Sequence, residues 1–440
     1  MIAESLWCIG RLALAGVLVC AGSAMASDQQ PSLPTPIDID NLAPVIEREF
    51  LSFDVNYQRE RLERQHQLDK LSTELFAAED AGLNVACSRQ IFLETKWLIE
   101  HTADWSRADR RLQDLANSLD NKEQAFATQQ SPDDGSWGSC FEEWFMKVSA
   151  TAGALETLAG KGQAPEHPVT ILDRIAEPDA LSAYLYGLVV SDIASTGVNQ
   201  RDELGSITAS LATLLFKHDV APYARGEVAG LKFDDAYVAA FQDFIDAWQD
   251  PETGYWGAWY QSGGAVFRAP DLSLSYHQIA YHPHDIAHLS DIIETTLRIK
   301  DKPYPYGWIA YGQFNNHNNY DVARILRVAW PFASEQQQQA IRDDLTAALT
   351  WCLNDSLNAD GSFRQVPDFY NSVSADFYFG ISFLDEIGYW TKANRYWTDE
   401  AFPNAQQTCC MIKARIKQIG LKSDVAQAAL QKLNDGCPAC

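Results

Sequence analysis

From Leu42 almost to the end of the chain, apolar side chains recur at intervals of three and four residues, the spacing of helical faces. Leu93, Trp97 and Leu98 share one such face, and Leu181 to Ile193 form a second run. Further runs cover 207–216, 236–248, 286–299, 322–330 and 341–353. Strand-like alternation between turn dipeptides is scarce, and no low-complexity linker divides the chain. The pattern predicts an all-α protein, with residues 41–440 forming one domain of serial helical hairpins.

Three connections interrupt this pattern in the same way. They are Ser131-Pro132-Asp133-Asp134-Gly135-Ser136-Trp137-Gly138, Asp250-Pro251-Glu252-Thr253-Gly254-Tyr255-Trp256-Gly257 and Asn358-Ala359-Asp360-Gly361-Ser362-Phe363. In each, an acidic or Asn turn leads to a Gly that supplies positive φ, and an aromatic follows. They lie roughly 110 residues apart, which suits every second or third hairpin of a helical array. Asp-Gly turns join helices in many folds. The stretches 134–138 and 253–257 also resemble the turn motifs of terpenoid-cyclase-like toroids and of toroidal carbohydrate-active enzymes. That resemblance implies an (α/α) toroid with its long loops on one face.

Ahead of Leu42 the character changes. An apolar stretch from Leu12 to Cys20 follows Arg11 and gives way to Ala24-Met25-Ala26. This predicts a signal peptide over 1–26, cleaved after Ala26, and a secreted or periplasmic protein. No segment reaches the ~20 apolar residues of a membrane span. Residues 27–40, rich in Pro and Ser, read as a flexible N-terminal arm. Export permits disulfides. Seven cysteines lie beyond the leader, and Cys409, Cys410, Cys437 and Cys440 bracket a short helix pair. At least one bridge is expected to staple that pair, although Cys-x-x-Cys also suits zinc or redox sites. An odd count leaves one thiol free, and Cys352, inside a helix, is the expected one.

Charge narrows the partners. With 59 acidic and 34 basic residues the net charge is -25, which repels nucleic acid and anionic membranes. An anionic ligand would need a local cationic pocket. No phosphate-binding Gly loop, nucleophile elbow or dinucleotide fingerprint is present. The Asp-rich clusters of terpenoid cyclases are missing too, and export argues against an isoprenoid diphosphate. Extracellular or periplasmic glycans remain as the natural ligand class.

Candidate chemistry concentrates between Trp248 and Trp330, which holds five of the nine histidines and a long irregular segment. The first constellation is Gly312-Gln313-Phe314-Asn315-Asn316-His317-Asn318-Asn319-Tyr320-Asp321, directly before a helical run. Four Asn and a His are poor core filler, because buried amides need a partner at every atom. The plainer reading is a polar helix cap. The run also resembles the Asn-Asn-His segment of toroidal alginate-type polysaccharide lyases. That resemblance implies Asn316 as neutraliser of a uronate carboxylate, His317 as the base that removes the C5 proton, and a tyrosine as the acid. Tyr320, Tyr276 and Tyr281 are the candidates for that acid. Asn315 and Asn319 would bind substrate beside them.

The second constellation is Asp271 to His277, followed by Tyr281-His282-Pro283-His284-Asp285-Ile286-Ala287-His288. His277 is a candidate for catalysis or substrate contact. His284 and His288 fall i, i+4 on one helical face, so with His282 or Asp285 they could hold zinc. No zinc-enzyme signature is complete, and solvated or hydrogen-bonded histidines are the alternative. The expected enzyme needs no cofactor.

Carboxylates offer another route. Glu252, Asp271 and Asp376 are candidates for an inverting hydrolase pair, which needs two carboxyls about 6.5–9.5 Å apart. Among the aromatics, Trp256, Trp259, Tyr260 and Trp308 are candidate platforms for sugar rings, and Tyr304, Tyr306, Tyr311, Tyr378, Tyr389 and Trp390 share the region. Arg268, Arg324 and Arg327 offer positive charge for a uronate. The leading expectation is a polysaccharide lyase acting by β-elimination. An inverting glycoside hydrolase on the same fold and a non-catalytic glycan-binding protein are the alternatives.

Overall fold

The helical period is realised along most of the chain. The computed structural model describes residues 33–120, 128–226, 231, 233–281, 286–365, 372–438 and 440. The expected signal peptide, residues 27–32, and His282, His284 and Asp285 of the histidine run lie outside them. The longer helices are α1 (Ala43–Phe53), α2 (Tyr57–Asp80), α3 (Ala86–His101), α4 (Trp105–Asp120) and α5 (Trp144–Lys161). Then come α6 (Pro178–Val189), α7 (Arg201–Phe216), α8 (Asp235–Trp248), α9 (Leu272–Tyr281) and α10 (Leu289–Arg298). The last five are α11 (Asn316–Ala329), α12 (Glu335–Trp351), α13 (Val373–Glu386), α14 (Ala405–Ile419) and α15 (Asp424–Gly436).

Local chemistry sets their ends. Pro44 and Pro178 sit in the first turns of α1 and α6, where a missing N–H leaves no intrahelical bond unmade. Ser334 and Gln337 form a reciprocal capping box at α12. Ser372 and Ser423 cap α13 and α15. Asn315 caps α11, its side chain accepting from the His317 N–H at 2.7 Å. The plain reading of the Asn-rich run is therefore correct for that residue.

Helix packing is serial. α2 lies against α3, α3 against α4, and Trp97 of α3 meets Phe145 of α5 edge-on with centroids 5.3 Å apart. α5 packs on α7, α7 on α9, α9 on α11 and α11 on α13, which returns to α2. Residues 34–440 form one compact unit. No helix among the described residues is long and apolar enough to cross a membrane.

A small sheet corrects part of the expected arm. β1 (Ile37–Asp38), β2 (Val190–Ser191), β3 (Trp259–Ser262) and β4 (Ala265–Arg268) align in the order β1-β4-β3-β2. β3 and β4 are an antiparallel hairpin, flanked in parallel by β2 and β1. Residues 37–40 are thus held rather than mobile. Arg268 pairs with Asp38 at 2.5 Å, and Asp40 faces Arg298 and Lys302.

The three Gly turns are built as expected. Gly135, Gly254 and Gly361 all have positive φ, and Asp134, Asp250 and Asp360 each accept backbone N–H groups within their own turn. At Gly135 a Cβ would stand 2.0 Å from the Pro168 carbonyl oxygen, so the neighbouring loop also requires glycine there.

The cysteines follow the expectation. Cys409–Cys437 and Cys410–Cys440 join α14 to the end of α15, Cys87–Cys140 is a third bridge, and buried Cys352 is free.

Candidate functional site

Helices α2, α3, α7, α9, α11 and α13 all send side chains into one group of hollows. The central chamber, 660 Å³, is lined by Arg61, Arg201, Tyr276, His277, His317 and Tyr320 among others. A second, 500 Å³, shares Arg201, Asp202, His277 and Tyr281 with it. A third, 770 Å³, shares Arg61, Glu100, Tyr304 and His317 and extends to Tyr311. His277 and His317, 40 residues apart in sequence, therefore face the same space.

Burial decides their protonation. Taking an imidazolium out of water is costly, so desolvation lowers His317 to about 4. Desolvation, helped by the nearby His317 and Arg201, lowers His277 to about 4 as well. Both rings are neutral at pH 7 and able to accept a proton. The His277 Nδ1 is buried without a hydrogen-bond partner. Tyr304, whose ring centroid is 5.8 Å from that of His317, is raised by burial and stays protonated, as do Tyr276 and Tyr320. Tyr276 and Tyr320 stand side by side with ring centroids 5.7 Å apart, and Tyr304 and Ser273 line the same chamber. Asp321 lies with its Oδ2 3.8 Å from His317 Nε2, and burial lifts its carboxyl well above the ordinary range.

Most charge at the chamber wall is already spoken for. Arg201 grips Asp271 with two contacts of 2.6 and 2.8 Å and also meets Asp202 at 3.0 Å. Burial opposes charge on Asp202, but His101 at 3.0 Å and Arg201 overcome it and hold its carboxyl low. Lys96 is paired with Glu100 at 2.8 Å. Arg61 is different: it forms no ion pair among the described residues, and its Nε is buried without a partner.

Several expected roles need correction. Asn316 donates to Ser356 at 2.9 Å, is buried and does not line the chambers, so it is not poised to damp a substrate carboxylate. Asn319 is also buried behind the wall, whereas Asn315, beyond its capping role, borders the third chamber. Asp271 caps α9 and fixes Arg201, which leaves it no role as a hydrolytic carboxylate. Glu252 sits on an exposed turn, and Asp376 lines none of the chambers.

The expected sugar platforms are core. Trp256 donates its indole N–H to the Ile245 carbonyl, Tyr260 its hydroxyl to Asn199, and Trp259 and Trp308 are buried. No sugar face can reach them, because helix and sheet packing already cover both sides of each ring. Tyr389 meets Thr408 of α14 and Trp390 donates its indole N–H to Asp385 of α13, and neither lines a chamber. Arg268 is held by Asp38 and Asp250, and Arg324 and Arg327 by Glu386, so none offers free charge. His288 faces Asp291 at 3.5 Å, while its intended zinc partner His284 lies outside the described residues. Among the described residues no group of three His, Cys, Asp or Glu is placed to hold a metal.

Sequence reasoning missed Arg61, Gln65, Arg201 and the chemical part of Tyr304. The run Pro303-Tyr304-Pro305-Tyr306-Gly307 carried a signal for the last, since it falls in the long irregular segment. Comparison with family models, curated proteins and solved structures finds no match to this chain.

Proposed function

We propose that this chain is an exported polysaccharide lyase, acting by β-elimination on a uronate-containing glycan from the interior of an (α/α) toroid. The observation that carries the reading is the meeting, around one chamber, of two neutral histidines, protonated tyrosines and an uncompensated Arg61. The serial packing of α5, α7, α9, α11 and α13, with its return to α2, supports the toroid. Three disulfides support export into an oxidising compartment.

The chemistry divides among named side chains. Arg61 receives the uronate carboxylate and damps its charge, which makes the adjacent C5 proton acidic enough for a neutral imidazole. His317 takes that proton. The C4–O bond breaks, a C4=C5 double bond forms, and Tyr304 protonates the departing oxygen. Tyr320 and Tyr276 line the same wall and hold sugar hydroxyls, and the unpaired Nδ1 of His277 accepts another. No water is consumed, so the product is an unsaturated uronate.

The test is incubation with a panel of uronate and neutral glycans. New ultraviolet absorbance from an unsaturated uronate supports the lyase. New reducing ends without that absorbance indicate a hydrolase instead. Binding without either indicates a non-catalytic glycan-binding protein.

A further inference from the structure

At the mouth of the third chamber, Tyr311 and Gly312 form a two-residue hairpin. It is closed by the Ala310 N–H to the Gln313 carbonyl at 3.0 Å and the return bond at 3.1 Å. Tyr311 has φ +52 and Gly312 φ +77. Such turns favour Asn or Gly at both central positions, and a bulky side chain in the left-handed region is strained. Burial does not compensate, because Tyr311 is 75% exposed. Neither the backbone nor the core gains from a tyrosine here. What the ring supplies is a flat apolar face at the rim of a chamber.

Another part of this chamber's wall belongs to α2. Arg61 and Gln65 fall i, i+4 on one face of it and both line this chamber. Gln65 donates through Nε2 to Asp69 at 2.9 Å, but its Oε1 is buried without a partner, as is the Arg61 Nε. A buried acceptor and a buried donor, both unmade and one turn apart, belong to side chains that line the same chamber as the Tyr311 ring. Buried polar atoms in folded proteins are normally satisfied, so the pair calls for a ligand that supplies both an O–H and an oxygen acceptor. A pyranose does so while offering a C–H face to an aromatic.

We propose that the third chamber is a sugar subsite for the unit next beyond the pair whose linkage is broken at His317, with Tyr311 as stacking platform and Gln65 as hydroxyl acceptor. This rests on the polysaccharide reading above and extends it: substrates must be long enough to occupy both chambers.

The test is the chain-length dependence of binding. Oligomers of two, four and six mannuronate, guluronate, galacturonate or glucuronate units are titrated calorimetrically into the His317→Ala protein, and KM is measured with the wild type. Tyr311→Ala is expected to weaken hexamer binding about tenfold while leaving the dimer unchanged, and Tyr311→Trp to preserve both. Tyr311→Asn should lose the same affinity while raising Tm by about 1 °C, since it relieves the turn. Equal effects on dimer and hexamer, or none on either, would overturn the subsite. If oligouronates bind and are cleaved but Tyr311→Ala does not alter length dependence, the subsite alone fails. If no oligouronate binds the wild type, the polysaccharide reading fails and the subsite with it.

Discussion

Glu94 and Arg61 are both charged residues on helices that send side chains to the chambers, α3 and α2, yet their surroundings are opposite. Glu94 on α3 is fully buried and filled: it accepts from the backbone N–H groups of Glu142 and Glu143 and pairs with Arg111 at 2.5 Å. Arg111 in turn reaches the Cys140 carbonyl, beside the Cys87–Cys140 bridge. Arg61 on α2 has no ion pair among the described residues and faces open chambers. A filled polar site holds elements together. An unfilled one is available to a ligand, and its removal should cost function rather than fold.

Breaking the filled site should have the largest effect. Glu94→Ala leaves two backbone N–H groups without their acceptor and strips buried Arg111 of its shortest ion pair, and is expected to lower unfolding stability by about 3–5 kcal/mol. Denaturant titration measures this. A loss under about 1 kcal/mol would show that Glu94 does not hold α3 to Arg111 and the 142–143 backbone.

The unfilled site gives the second contrast. Arg61→Met keeps the apolar stem and removes the charge. It should lower kcat/KM on a uronate polymer by about 100-fold, or about 2.7 kcal/mol, with stability changed by less than about 0.5 kcal/mol. The reverse split, a stability loss with activity preserved, would make Arg61 a structural residue like Arg111.

The histidines sharpen the comparison through pH. Unfolded, each would titrate near 6.5, whereas in the fold His277 and His317 titrate at about 4. Between these values the unfolded chain binds more protons, so their contribution to stability is intact above about pH 6.5 and declines as pH falls toward 4. On the catalytic side, kcat/KM should be flat from pH 6 to 8 on its acid limb and fall only near pH 4. A limb near 6.5 would mean that the rings are solvated.

Much of the fold was legible because it is local. Periodicity gave the helices, and Asp-Gly chemistry gave the turns at Gly135, Gly254 and Gly361. Asn315 reads as a cap from its neighbours alone, and the C-terminal staple follows from cysteine placement. The site was legible only in part. His317 and His277, which the fold brings to one chamber, were legible as candidates because polar residues in an irregular segment stand out from core patterning. The aromatics were misassigned because Trp256 and Tyr304 look alike in sequence, and only packing separates a covered ring from one bordering a cavity. Cations posed the same difficulty. Arg201 is held by Asp271, 70 residues away, and Arg268 by Asp38, 230 away, so which cation stays uncompensated is a property of the assembled fold. Arg61 was hidden in a helix whose many charges suggest an ordinary solvated surface.

The most direct test compares wild type and His317→Ala for the appearance of unsaturated-uronate absorbance on the uronate glycan that the wild type cleaves. The account predicts a loss of about 10²–10⁴-fold in kcat, the size of a missing general base, with Tm held within a few degrees. Full activity in His317→Ala would contradict it.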